Sequence, residues 1–168
     1  LRAKELSQVN SDSGHHFLAV WGLWVFHLVR GPLATACDLA EHLLSLAQRE
    51  QNPDMLIRAH ESAGSTYSFL GRFNEAKAHL LAAKSLYDPA RHRSQALPYT
   101  QDPGITARTM LARALWILGE VDQVEALSRE AIGMARELEH PFTLAFTLTT
   151  VAWTYSTLRD TEQTLHLP

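Results

Sequence analysis

The sequence predicts an all-α fold, a right-handed α-solenoid of about four antiparallel helix pairs preceded by a partial helix. Three observations carry this. Apolar residues recur at helical spacing, as in Leu33, Ala36, Leu39, Ala40, Leu43, Leu44 and Ala47, the stripe of one buried helix face. No window alternates with period two for long enough to make a strand. Helix boundaries also repeat. Pro53, Pro103 and Pro141 each stand in the first turn of a helix, where a missing N–H costs nothing. Val29-Arg30-Gly31, Leu70-Gly71 and Leu118-Gly119 each precede a second helix, and Leu158-Arg159 is a fourth case without the glycine. Positions 31, 71, 119 and 159 are spaced by 40, 48 and 40 residues, the scale of one helix pair per repeat.

Taken in order, residues 1–9 read as a short helix, the second half of an incomplete pair. Asn10-Ser11-Asp12-Ser13 reads as a turn, with Asp12 or Ser13 as N-cap of a helix that runs to about Val29. Arg30-Gly31-Pro32 separates it from a helix ending near Glu50. Asn52 caps the next helix, and Asp88-Pro89 closes the pair it opens. A long connection follows, to Gln101. Asp102-Pro103 starts a helix that ends at Leu118-Gly119, and its partner covers roughly 122–138. His140-Pro141 begins another, ending near Leu158. Asp160-Thr161-Glu162-Gln163 has capping-box spacing and predicts a last helix. The whole chain, 1–168, reads as a single domain with pairs at 14–50, 53–88, 102–139 and 141–168.

The clearest unit is 60–87. Gly64, Tyr67, Gly71, Phe73, Ala76 and Ala83 fall at offsets 0, 3, 7, 9, 12 and 19. Small residues allow two helices to cross closely, aromatic rings fill the wedge beside the crossing, and Gly71 permits a turn with φ > 0. This small–aromatic–small–aromatic–small–small order resembles the tetratricopeptide repeat (TPR), so the solenoid is expected to be TPR-like. The neighbouring pairs follow the pattern loosely, with Trp24, Ala112 and Ala152 in the place of Gly64.

Composition narrows the function classes. The chain of 168 residues is 46% hydrophobic and 20% charged, as in ordinary globular domains. Its net charge is −3, and its 15 basic residues form no dense cluster, which argues against nucleic acid as a partner. The longest apolar run, 17–29, is too short for a bilayer span of ~20 residues, so no membrane partner is expected. The single cysteine, Cys37, excludes an internal disulfide, fits a cytoplasmic protein, and reads as a small buried hydrophobe. The chain opens on Leu1 and is read as a piece of a longer protein.

Motifs for chemistry are missing. There is no phosphate loop, no nucleophile elbow, no His-Glu-x-x-His and no cysteine pair. Asp38/His42 and Glu75/His79 have the i, i+4 spacing of two metal ligands but no third, and fall on faces expected in solvent. His27 reads as a satisfied, half-buried histidine. Without nucleophile, base and orienter, the expectation is a non-enzyme with no catalytic residue, cofactor or metal.

What remains is a surface. In a superhelix of this kind the first helix of each pair lines the inner groove. The register puts Trp21 and Val25 there from the first pair, and Arg58, Glu61, Ser65 and Ser68 from the second. Thr109, Arg113 and Trp116 follow from the third, and Thr149, Trp153 and Ser156 from the fourth. Aromatic anchors with arginine are what recognition surfaces favour, so Trp21, Arg58, Glu61, Arg113, Trp116 and Trp153 are the expected groove residues. The long connection carries Arg91, His92 and Arg93, and Arg91 and Arg93 are candidates to meet an anionic group at the groove edge.

Several segments also resemble one recurrent region. They are Trp21-Gly22-Leu23-Trp24, Leu86-Tyr87-Asp88-Pro89 with His92-Arg93, Tyr99-x-Gln101-Asp102-Pro103-Gly104, Ala114-Leu115-Trp116-x-Leu118-Gly119 and His140-Pro141-Phe142. They resemble the TPR-like arm of large bacterial multidomain proteins, which follows a P-loop signalling ATPase and often accompanies a class III adenylate/guanylate cyclase. The likeness spans about residues 15 to 158 and implies a regulatory arm with no catalytic residues of its own.

The function expected is therefore a protein–protein interaction and regulatory scaffold module within a larger signalling protein, with a protein partner or a neighbouring ATPase or cyclase domain. The alternatives are an effector-sensing domain with a small molecule in its groove, and a free-standing adaptor. A solenoid end without a polar cap exposes an apolar face. Self-association through residues 1–9 or 158–167 is expected, and sedimentation showing only monomer at high concentration would refute it.

Overall fold

The computed structural model describes residues 2–92 and 101–157, with side chains described from residue 13. Helices α1 (Arg2–Arg30) and α2 (Leu33–Arg49) form a first pair, α3 (Pro53–Phe69) and α4 (Phe73–Leu86) a second. After the short α5 (Pro89–His92), α6 (Pro103–Ile117) pairs with α7 (Val124–Glu137), which is entered through a 3-10 turn at Val121–Gln123. Helix α8 (Pro141–Thr157) packs on both α6 and α7. First helices touch in series, α1 with α3, α3 with α6, α6 with α8. Second helices pack on the next first helix, α2 on α3, α4 on α6, α7 on α8. The extensive contacts among the described residues run between successive helices and pairs, as in an all-α repeat solenoid. The helix predicted from the capping box at 160–163 lies outside the described residues.

The starts and stops follow from single residues. Asn52 accepts hydrogen bonds from the backbone N–H of Asp54 (2.9 Å) and Met55 (3.3 Å), with Pro53 in the first turn of α3. Asp102 does the same for Gly104 (2.9 Å) and Ile105 (3.0 Å) ahead of α6. Helix α3 ends at Gly71, whose φ of 75° lets the Arg72 N–H reach back to the Tyr67 carbonyl at 2.8 Å. Gly119, at 79°, serves α6 alike, with Glu120 donating to Leu115 at 2.9 Å. One expected boundary is corrected. Residues 10–13 make no turn, and α1 runs unbroken from Arg2. Asn, Ser and Asp are indifferent helix formers but not breakers, and no proline or glycine interrupts the ladder there.

Helices α3 and α4 meet through small residues, as the repeat pattern requires. Ala76 and Ala83 are wholly buried, and a Cβ on Gly64 would stand 2.5 Å from Leu80 Cγ and 3.2 Å from the Ala76 carbonyl oxygen. The main apolar core runs from α1 through α6 to Val124 and Leu127 of α7. Trp24 contributes to it and donates its indole N–H to Thr66 Oγ1 at 2.8 Å, tying α1 to α3. From Ile57 to Ser68 only His60 reaches intermediate exposure, because α3 is covered by α1, α2, α4 and α6.

The second and third pairs are joined by a buried polar clasp. Asp102, fully buried, accepts the Tyr87 hydroxyl at 2.8 Å while it caps α6. Gly104 lies under the Tyr87 ring, and a Cβ there would come within 2.5 Å of ring carbons. Arg108 stands 5.4 Å from the ring centroid, donates to the Gly104 carbonyl at 3.0 Å and pairs with Glu130 at 2.7 Å. His92 packs 5.4 Å from the same ring, accepts from the Asp88 N–H at 2.8 Å and meets the Asp54 carboxylate at 3.1 Å. Gly104→Ala is expected to cost about 1–3 kcal/mol, since backbone and ring must both move. Tyr87→Phe is expected to cost about 1 kcal/mol, because Asp102 keeps its two backbone donors. Urea denaturation of both variants checks the order.

Candidate functional site

The inner face of the solenoid encloses a cavity of about 430 Å³. Helix α1 supplies Trp21, Trp24, Val25, Leu28 and Val29 to its wall, and α3 supplies Glu61, Ser65 and Phe69. Thr106 and Met110 of α6 and Phe142 and Phe146 of α8 close the opposite side, with Gln101 beside them. Helices α1, α3, α6 and α8 thus all contribute, because residues a turn apart on each present one face to the cavity.

The floor is charged and deeply buried. Arg58 and Glu61 are 1% and 2% exposed. The guanidinium donates to Glu61 Oε2 at 3.4 Å and to the Gln101 carbonyl at 2.8 Å, and lies 5.5 Å from the Trp21 ring centroid. Ser65 donates to Glu61 Oε1 at 3.1 Å. Burial pushes the Glu61 carboxyl up from its ordinary range, while Arg58 and Ser65 pull it back and Asp102 adds repulsion.

Of the groove residues expected from sequence, Trp21 and Glu61 line the cavity, as do Val25 and Ser65. Arg58 lies behind the wall, its charge directed to Glu61 and Gln101 rather than outward. Arg113, half-buried, sits in a second place between the rings of Trp153 at 4.5 Å and Phe69 at 5.3 Å. Burial there lowers its pKa from the ordinary arginine value. Trp153 is 47% exposed, and Trp116 is partly buried against the core. The Arg113 Nε, Trp116 Nε1 and Ser68 Oγ are buried with no hydrogen-bond partner among the described residues. The register did not place Phe69, Phe142, Phe146 and Met110 among the groove residues, though all four line the cavity.

Arg91 turns toward α3 and pairs with Asp54 at 3.3 Å, next to His92. Arg93 lies outside the described residues. Asp38 and His42 are exposed, His42 meeting His16 edge-on at 6.0 Å, and Glu75 pairs with Arg72 at 3.0 Å. No group of three or more His, Cys, Asp or Glu side chains is placed to hold a metal among the described residues. His27 is half-buried, but its Nδ1 has no hydrogen-bond partner among the described residues, which corrects the expectation of a satisfied ring. Burial and Glu41 raise the Cys37 thiol, which keeps it protonated and poorly nucleophilic. No helix among the described residues is long and apolar enough to cross a membrane.

A family model of the tetratricopeptide repeat matches residues 57–88, the α3/α4 pair. This stretch is a TPR-like helical repeat. Repeats of this type are generally protein–protein interaction modules and non-catalytic. No curated protein sequence matches the chain.

Beside the TPR-like turn, His60 and His79 face each other, Nδ1 to Nδ1 at 3.0 Å, with the Tyr67 ring 5.4 Å from that of His79. One ring must donate and the other accept, so the pair tolerates a single proton in the contact. Burial lowers both pKa values, and His79 lowers that of His60 further. A histidine depressed in the fold binds fewer protons there than when unfolded. The pair's stability is therefore fully present above an unfolded pKa of about 6.5 and declines as pH falls below it. Thermal unfolding between pH 7.5 and 5 is expected to show this decline, and His79→Gln to flatten it.

Proposed function

We propose that this chain is a non-catalytic protein–protein interaction and regulatory scaffold module, an arm of a larger signalling protein. One observation carries the reading. Large apolar side chains that line the cavity stand exposed, Val29 at 75%, Phe142 at 56% and Phe69 at 49%, and Trp153, at 47%, lies beyond Phe69 across Arg113. Isolated exposed apolar residues are ordinary, but a rim of them on the concave side of a repeat solenoid marks a contact surface. Arg113, flanked by Phe69 and Trp153, adds the aromatic–arginine composition that protein interfaces favour. The partner is a protein, and by the resemblance of the motifs a neighbouring ATPase or cyclase domain of the same polypeptide, in the cytoplasm.

A second reading, an effector-sensing domain, is favoured by the cavity, whose volume suits one small molecule and whose wall is apolar with a few polar groups. The gene on either side of this segment tests the scaffold reading. An in-frame P-loop ATPase supports an arm, whereas stop codons close to both ends leave a free-standing adaptor. With the neighbouring domain in hand, Trp153→Ala and Phe142→Ser are each expected to weaken its binding in trans by about ten-fold or more. Both substitutions should leave the fold intact, at a cost of about 1–2 kcal/mol from half-buried rings and the lost Arg113 contact. Unchanged binding by titration calorimetry would refute the rim as the contact.

A further inference from the structure

We propose that the cavity binds an aromatic amine: a flat molecule of about two rings whose protonated nitrogen hydrogen-bonds the Glu61 carboxylate. The proposal rests on the effector-sensing reading and names its ligand class.

Shape comes first. A space of about 430 Å³ admits one compact molecule, not a helix. Aromatic rings contribute much of its wall, with Trp21 and Trp24 on one side and Phe142 and Phe146 on the other. Such walls favour a flat apolar body by offset or edge-to-face stacking.

Charge decides the head group. Glu61 lines the cavity, whereas Arg58 does not. Among the described residues, Glu61 Oε1 accepts from Ser65 and Oε2 from Arg58. A carboxylate accepts about four hydrogen bonds, so capacity remains on the cavity side. Arg58 is the guanidinium hydrogen-bonded to Glu61, Arg108 is paired with Glu130, and Arg113 lies between the rings of Phe69 and Trp153. A cation entering the cavity beside Glu61 favours the ionised carboxylate that burial opposes. A carboxylate ligand would meet Glu61 in a desolvated space and be repelled.

Three molecules that share an indole body and differ in head group form the test: tryptamine, the neutral alcohol tryptophol and indole-3-acetate. Each is titrated calorimetrically into the full chain, with Glu61→Gln as the variant and a blocked Ala-Trp-Ala peptide as a fourth probe. Tryptamine is expected to bind tightest and indole-3-acetate at least about ten-fold weaker. Glu61→Gln is expected to lower tryptamine affinity by about ten-fold and to change that of tryptophol by less than about three-fold. Should the variant fail to fold, the head-group ranking on the unaltered chain decides alone. Equal binding of all three indoles would overturn the amine assignment and leave the effector reading standing. Binding of the peptide alone would make the occupant a partner's side chain and overturn the small-molecule proposal. No binding of any probe at millimolar concentration would overturn both the proposal and the effector reading.

Discussion

The Asp102 carboxylate holds the solenoid together at its midpoint. It is fully buried, with two backbone N–H groups of α6 on one oxygen and the Tyr87 hydroxyl on the other. A buried carboxylate is tolerable only when donors surround it, so its position fixes theirs. That places the start of α6 against the end of α4. The adjacent Gln101 carbonyl then becomes the acceptor for Arg58, and Arg58 in turn holds Glu61 at the cavity floor. The apolar core supplies most of the driving force for folding, but this polar chain determines where the third pair sits against the second.

Much of the fold was legible because solenoid packing is local. Gly64, Ala76 and Ala83 are small for one reason, the approach of α3 to α4, and neighbours in a helix pair are neighbours in sequence. Capping is similarly local, which is why Asn52 with Pro53, and Asp102 with Pro103, mark true starts. The same reasoning misplaced a turn at 10–13, where capping residues stand without a breaker, and the helix continues through them. A favourable cap alone does not end the preceding turn of helix.

The site was legible only as a face. Helical register placed Trp21, Glu61 and Ser65 on the concave side, and they line the cavity. Depth is a different matter, because it depends on how closely α1, α3 and α6 converge. Arg58 shares that face but is covered, with the Gln101 carbonyl as a partner 43 positions away in sequence. The phenylalanines of α8 were not among the expected groove residues, yet Phe142 is half in solvent at the cavity wall. Arg91 was expected to meet an anionic group at the groove edge, and it pairs with Asp54 at the start of α3.

The cavity has no wall of its own. Each side belongs to a different repeat, and repeats in a solenoid shift relative to one another more easily than helices shift within a pair. Its width is therefore a measure of the pitch of the superhelix. Tension applied along the chain would change that width, and an occupant that bridges α1 to α8 would resist the change. A local fit in this hollow would thereby set the stiffness of the whole solenoid.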